Sequence, residues 1–202
     1  MQQKKILIAT SNAGKIAIYS QVLDELGLEY VTLRDMHLDV QVEENGATEL
    51  ENALLKAKAY HEATGLPVIA NDSGLLIERL KPEDQPGVFV HRYGGNELSD
   101  EETIKIFSKK LEEVGGESDS YFKIALVACD FDGKYHTAEF RSYRYMVAKP
   151  SKTVIKGLPL RSLDYSREKQ KYWSELTIEE ANKLEGKCIQ DQKEFIKKCF
   201  KK

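Results

Sequence analysis

Three separated residues stand where chemistry could be done: Asp72, Glu44 and Lys15. Asp72 lies in Asn71-Asp72-Ser73-Gly74, directly after the apolar run Val68-Ile69-Ala70. That run reads as a buried strand that stops at Asn71, and ligands in α/β proteins gather at the carboxyl ends of strands. An Asp there can hold a hard cation through oxygen, and Gly74 lets the backbone turn closely around it. The same four small polar residues also make an ordinary capped turn. Glu44 falls just before a helix start, where a carboxylate can bind a cation or simply answer the helix dipole. Lys15 closes Thr10-Ser11-Asn12-Ala13-Gly14-Lys15. This loop joins a strand pattern to a helix pattern. Its helix N-terminus suits phosphate, with Lys15 as a mobile positive charge, or it is merely capped by Ser11 or Asn12. Ala9 in place of the first Gly and Ile16 after the Lys exclude a P-loop NTPase.

The elements that must position these residues follow from periodicity. Lys5 to Ala9 predicts a first buried strand. Ile16, Tyr19, Val22, Leu23 and Leu26 recur at helical spacing, with Gly27 as the stop. Leu28 to Leu33 predicts a second strand. Thr48-Glu49-Leu50-Glu51 is a capping-box pattern that opens a helix carrying Leu50, Ala53, Leu54 and Ala57 toward Gly65. Lys56 on that helix reads by itself as a solvated lysine. Leu75 to Leu80 continues as strand, and Lys81 to Gly95 as loop, with His91 at the surface. Ser99-Asp100-Glu101-Glu102 caps a third helix that ends at Gly115-Gly116. Tyr121 to Phe131 and Lys134 to Val147 form a hairpin around Asp132-Gly133. Its second strand, with Arg141, Tyr143, Arg144 and Tyr145, is either a dimer surface or one face of a lobe. Gly157 to Ser174 has no clear period. Thr177 opens a short helix broken at Gly186, and Ile189, Ile196, Cys199 and Phe200 line a final one.

The totals fit a globular protein of 202 residues, 41% apolar and 31% charged. A net charge of -3 argues against polymeric nucleic acid and anionic membrane as partners, so an anion site must be local. Cys129, Cys188 and Cys199 lack metal-ligand spacing, and their odd number suggests reduced thiols and a cytoplasmic setting. No signal-peptide core and no run of membrane-spanning length is present. No repeat or linker divides residues 1–202, which are read as one domain.

Three motifs in order then carry a resemblance. Thr10 to Lys15, Glu43-Glu44-Asn45-Gly46-Ala47-Thr48 through Ala57, and Ala70 to Leu75 resemble the inosine triphosphate pyrophosphatase family, which acts on non-standard purine nucleoside triphosphates. Pro86-Gly87-Val88 and Arg92-Tyr93 extend the likeness. It implies an α/β fold, a long twisted mixed sheet flanked by helices in two lobes with a cleft between them. It also implies a homodimer and Mg²⁺-dependent cleavage between the α and β phosphates, releasing a nucleoside monophosphate and pyrophosphate. By the same resemblance Thr10, Ser11, Asn12, Lys15, Lys56, Ser73 and Arg92 would bind substrate. Glu44 and Asp72 would hold the metal, and Asp72 and Asn71 would serve catalysis. Mg²⁺ is commonly held by one or two carboxylates with phosphate oxygens and waters, which matches that number of acids.

The departures are specific. Asn71 stands where the family usually has an acid, and an amide can orient water but cannot take its proton. Ile18 stands where Glu is frequent. The Phe-Gly-Tyr/Trp-Asp-Pro segment that reads the purine is absent, with Leu163-Asp164-Tyr165 a faint echo, and Glu185-Gly186-Lys187 replaces a Ser-His-Arg run. A catalytically weak or inactive nucleotide-binding homologue is therefore the alternative to an active pyrophosphatase. A small-molecule kinase using Gly14-Lys15 is a third, weaker reading.

Overall fold

The computed structural model describes residues 5–38, 40, 42–95 and 97–201. The side chain of His91, expected at the surface, lies outside the described residues.

Strand β1 (Ile6–Ile8) is fully buried and leads through residues 9–12 into helix α1 (Ala13–Leu26). Asn12 is the cap, accepting from the Lys15 N–H, and Gly27 ends the helix in the left-handed region at φ 63°. Strand β2 (Tyr30–Thr32) runs parallel to β1, with Ile6 opposite Tyr30 and Ile8 opposite Thr32. Helix α2 (Glu49–Thr64) is capped by Thr48 and closed by Gly65 at φ 65°. Only half of the expected capping box forms. The Thr48 hydroxyl accepts from the Glu51 N–H, but the Glu51 carboxylate reaches back one residue further, to the Ala47 N–H.

Strand β3 (Val68–Ile77) corrects the expected stop at Asn71, because it continues for ten residues through Asn71-Asp72-Ser73-Gly74. Its place explains why. It lies between β1 and the long strand β4 (Glu117–Cys129), in a five-stranded sheet of order β2-β1-β3-β4-β5. A strand with a neighbour on each side has its backbone groups paired, and that outweighs the weak strand preference of small polar residues. Helix α3 (Asp100–Glu113) carries the full capping box between Ser99 and Glu102. Gly115 and Gly116, both at positive φ, follow it. Strand β5 (Tyr135–Val147) follows β4 through a turn in which the Gly133 N–H donates to Asp130. The region without period holds short 3-10 turns and a two-stranded ribbon, β6 (Tyr165–Ser166) against β7 (Lys171–Tyr172). Helix α4 (Ile178–Phe200) corrects the expected break at Gly186, running 23 residues without interruption. A single Gly in a helix costs only about 1 kcal/mol, which the buried residues farther along, such as Ile196 and Phe200, offset.

The chain forms two compact units. The first comprises residues 1–72, 124–140 and 190–202. Its core joins Leu7 and Ala9, Val68 and Ala70, Ala125, Val127 and Cys129 to Ala53, Ala57 and Tyr60 of α2. The second comprises residues 73–123 and 141–189. Leu75, Ile77, Phe107, Leu111, Met146 and Leu163 are among its core residues. Each such fully buried side chain contributes roughly 1.5–3 kcal/mol relative to exposure.

Candidate active site

The first unit brings the separated charges together. Alternation along β3 places Val68 and Ala70 on the face covered by α2, and Asp72 continues that set. Lys56 projects from the same inward stripe of α2 as Ala53, Ala57 and Tyr60. Its ammonium donates to Glu44 Oε2 at 2.8 Å and to Asp72 Oδ1 at 3.1 Å. Lys56 and Asp72 are each only 9% exposed. The expectation of a solvated lysine, based on Lys56 alone, is thus corrected. An ion pair this far from water is weakly screened, and removing one member would leave an uncompensated buried charge.

Asn52, one turn before Lys56, completes the frame. Its amide donates to Asp72 Oδ2 at 3.3 Å, and its carbonyl accepts from the Gly46 N–H at 2.8 Å. The loop carrying Glu44 is thereby tied through Asn52 to the strand carrying Asp72. A Cβ at Gly46 would stand 2.7 Å from Glu51 Cβ and 2.8 Å from Asn52 Oδ1, so only glycine fits this approach. Asn52 and Gly46 were not singled out from sequence. The available signal was a polar residue inside the apolar stripe of a helix: Asn52 is 2% exposed beside Ala53.

In the first loop Asn12, one of the two expected caps, is the one that forms. Thr10 Oγ1 accepts from the Asn12 N–H and Asn12 Oδ1 from the Lys15 N–H, at 3.2 and 3.1 Å. The first turn of α1 contains no acidic residue, so its positive dipole end is not neutralised from within. Thr10 and Asn12 are half-buried and Ser11 is exposed. Lys15 is half-buried along its length, yet its ammonium is desolvated. Desolvation first, then the neighbouring Lys56 charge, pushes its pKa down to about 8 against the opposing pull of Asp72 and Glu44. Lys15 therefore shares the electrostatic field of the other three groups.

Asn71 stands apart. It belongs to the alternate set of β3 with Ile69, on the sheet face opposite α2 and Asp72. It is 4% exposed, and its Oδ1 has no hydrogen-bond partner among the described residues. A buried unpaired amide oxygen costs about 1–3 kcal/mol. Ser73 and Arg92 lie in the second unit, Ser73 half-buried and Arg92 exposed. The Arg92 guanidinium stands 5.9 Å from the Phe89 ring centre. Neither takes part in the contacts that join Glu44, Lys56, Asn52 and Asp72.

Among the described residues no group of three or more His, Cys, Asp or Glu side chains converges as a metal cage. Two carboxylates nevertheless converge on one cationic point, occupied by the Lys56 ammonium. Hard oxygen donors around a shared cation position fit Mg²⁺ bound jointly by protein and phosphate.

The second unit holds a different charged group. Arg144 lies over the Trp173 ring at 3.9 Å, pairs with Glu185, and has Nε 3.7 Å from Asp164 Oδ2. Burial pushes the Asp164 carboxyl up to about 7, against the lowering influence of Arg144 and Arg161. Its Oδ1 has no hydrogen-bond partner among the described residues.

Comparison with known proteins decides the family. The model of the Ham1 family matches residues 6–187, which span both units. The chain belongs to the Ham1 family. Among curated Ham1 relatives, a protein of Bacillus licheniformis named dITP/XTP pyrophosphatase is 34% identical over 182 residues, 90% of this chain and 91% of its own. A Thermus thermophilus protein of the same name is 36% identical over 176 residues, covering 87% and 83%. The solved Ham1 protein of Staphylococcus aureus superposes with a TM-score of 0.76 at 25% identity, covering 96% of this chain and 98% of its own. The α/β fold expected from the sequence agrees with that of the solved Ham1 protein.

Proposed function

We propose that the protein is a Mg²⁺-dependent nucleoside triphosphate pyrophosphatase that hydrolyses non-standard purine nucleotides such as dITP, ITP and XTP to the monophosphate and pyrophosphate. The observation that carries the reading is the convergence of Glu44 and Asp72 on the Lys56 ammonium, beside the electrostatically coupled Lys15. The names of the relatives supply the substrate class.

A triphosphate carries about four negative charges, which must be offset before water can approach the α-phosphorus. In this reading the N-terminus of α1, with Thr10, Ser11 and Asn12, receives phosphate oxygens, and Lys15 and Lys56 offset their charge. Glu44 and Asp72 would hold Mg²⁺, which would supply further neutralisation and lower the pKa of a nearby water. Asn52 keeps Asp72 and the Glu44 loop in register. The water oxygen bonds to the α-phosphorus, the bridging bond to the β-phosphate breaks, and pyrophosphate leaves. Asp72 accepts the proton of the attacking water and returns it to solvent. Ser73 and Arg92 are assigned to substrate through the resemblance.

Asn71 favours the second reading, a nucleotide-binding homologue of weak or no activity. It stands where the family has an acid, and its amide cannot accept the water's proton. The test is turnover on a panel of ITP, dITP, XTP and the standard triphosphates with Mg²⁺, with products resolved. Release of monophosphate and pyrophosphate supports the enzyme. Calorimetric binding without turnover supports the alternative.

We further infer a cytoplasmic homodimer. Cys129, Cys188 and Cys199 form no disulfide among the described residues, which supports a reducing compartment. The homodimer is assigned through the resemblance. Light scattering gives the oligomeric state directly.

A further inference from the structure

The Lys56 ammonium lies where both acidic side chains point. It is the shared partner of Glu44 Oε2 and Asp72 Oδ1, at 2.8 and 3.1 Å. The group is balanced as it stands, with Glu44 and Asp72 against Lys56 and Lys15. A free divalent ion entering between the carboxylates would take both anionic partners from the Lys56 ammonium, on a residue only 9% exposed, and leave that charge buried without an anion. A triphosphate changes this balance, because it offers the displaced ammonium a new anionic partner and gives the metal further oxygen ligands.

We propose that Lys56 is a built-in substitute for the divalent cation, which it excludes until a triphosphate draws the ammonium away, so that metal and nucleotide enter together. The inference rests on the metal site proposed above and adds an order of binding. Lys56 then has two positions, between the carboxylates in the nucleotide-free protein and on phosphate in the complex. Asn52 and Gly46 make the exchange possible without loss of the site. They hold the Asp72 strand and the Glu44 loop together by contacts that do not involve Lys56.

The test is Mn²⁺ binding read by electron paramagnetic resonance, with no turnover involved. Wild-type protein is titrated with Mn²⁺ alone and with a non-hydrolysable α,β-imido purine triphosphate, beside Lys56→Met and Lys56→Arg. Wild type should bind Mn²⁺ at least about tenfold more tightly with the analogue than without it. Lys56→Met should bind free Mn²⁺ about tenfold or more tighter than wild type, and Lys56→Arg, which keeps a cation in place, should not. If Lys56→Met fails to fold, Lys56→Gln, which also removes the charge, supplies the same comparison. Equal free-ion affinity in wild type and folded Lys56→Met, or no effect of the analogue on wild type, overturns the exclusion while leaving the metal site standing. No Mn²⁺ binding by any form, with or without analogue, overturns the metal site and the exclusion with it.

Discussion

Asn52 and Asp72 are joined by a 3.3 Å hydrogen bond, while the other end of the same amide holds the Gly46 N–H. One buried side chain thus fixes the distance between the two acidic arms of the site. Asn52→Ala should cost about 1–3 kcal/mol by leaving Asp72 Oδ2 and the Gly46 N–H without this partner. The effect on function should appear as a weaker apparent Mg²⁺ affinity in turnover titrations. An unchanged Mg²⁺ dependence would remove Asn52 from the frame.

Gly46→Ala tests the same frame from the loop side. The new methyl would meet Glu51 Cβ and the Asn52 side chain inside contact distance. Overpacking of this kind typically costs about 1–3 kcal/mol. Thermal unfolding should shift down, and turnover should fall even where the protein remains folded.

Lys15→Ala should raise KM for the triphosphate with a smaller effect on kcat, about tenfold in KM for a charge-assisted contact worth about 1.5 kcal/mol. In the nucleotide-free protein Lys15 titrates at about 8. A bound phosphate favours its charged form, so triphosphate binding near that pH should take up protons. Calorimetry in buffers of different ionisation heat measures the uptake, and Lys15→Ala should reduce it.

Asp164 gives a stability prediction in the second unit. Its folded pKa, raised by burial to about 7, exceeds the unfolded value of about 3.9. The unfolded state therefore loses this proton first as pH rises. Stability contributed by the neutral buried acid is present at low pH and is lost progressively between those two values. Urea unfolding across this window should show the decline, and Asp164→Asn should flatten it. The charged neighbours Arg144, Arg161 and Glu185 keep their identity in that variant. Parallel pH slopes for wild type and variant would contradict the assignment.

Local signals were legible in the sequence and long-range ones were not. The caps Asn12, Thr48 and Ser99, and the glycine stops Gly27 and Gly65, depend on a few adjacent residues and appear where expected. The stop expected at Asn71 failed because strand continuation depends on neighbours elsewhere in the chain, β1 and β4. The break expected at Gly186 failed because helix continuity depends on what the two ends bury. Glu44, Asp72 and Lys15 were found from residue type and resemblance. The bonds that make them a site connect Lys56 to residues 12 and 16 positions away, and no periodicity encodes these. Asn71 and Asp72 are adjacent in sequence but face opposite sides of the sheet. That difference follows only once both are known to lie within one strand.

In the proposed function Glu44 and Asp72 act together on a magnesium-bound triphosphate. The direct measurement is steady-state pyrophosphate release from dITP with Mg²⁺ by wild type, Glu44→Ala and Asp72→Ala, each confirmed folded. Wild type should turn over, and each variant should fall by about a hundredfold or more, as loss of metal-held charge stabilisation requires. Near-wild-type release by either folded variant would contradict the account.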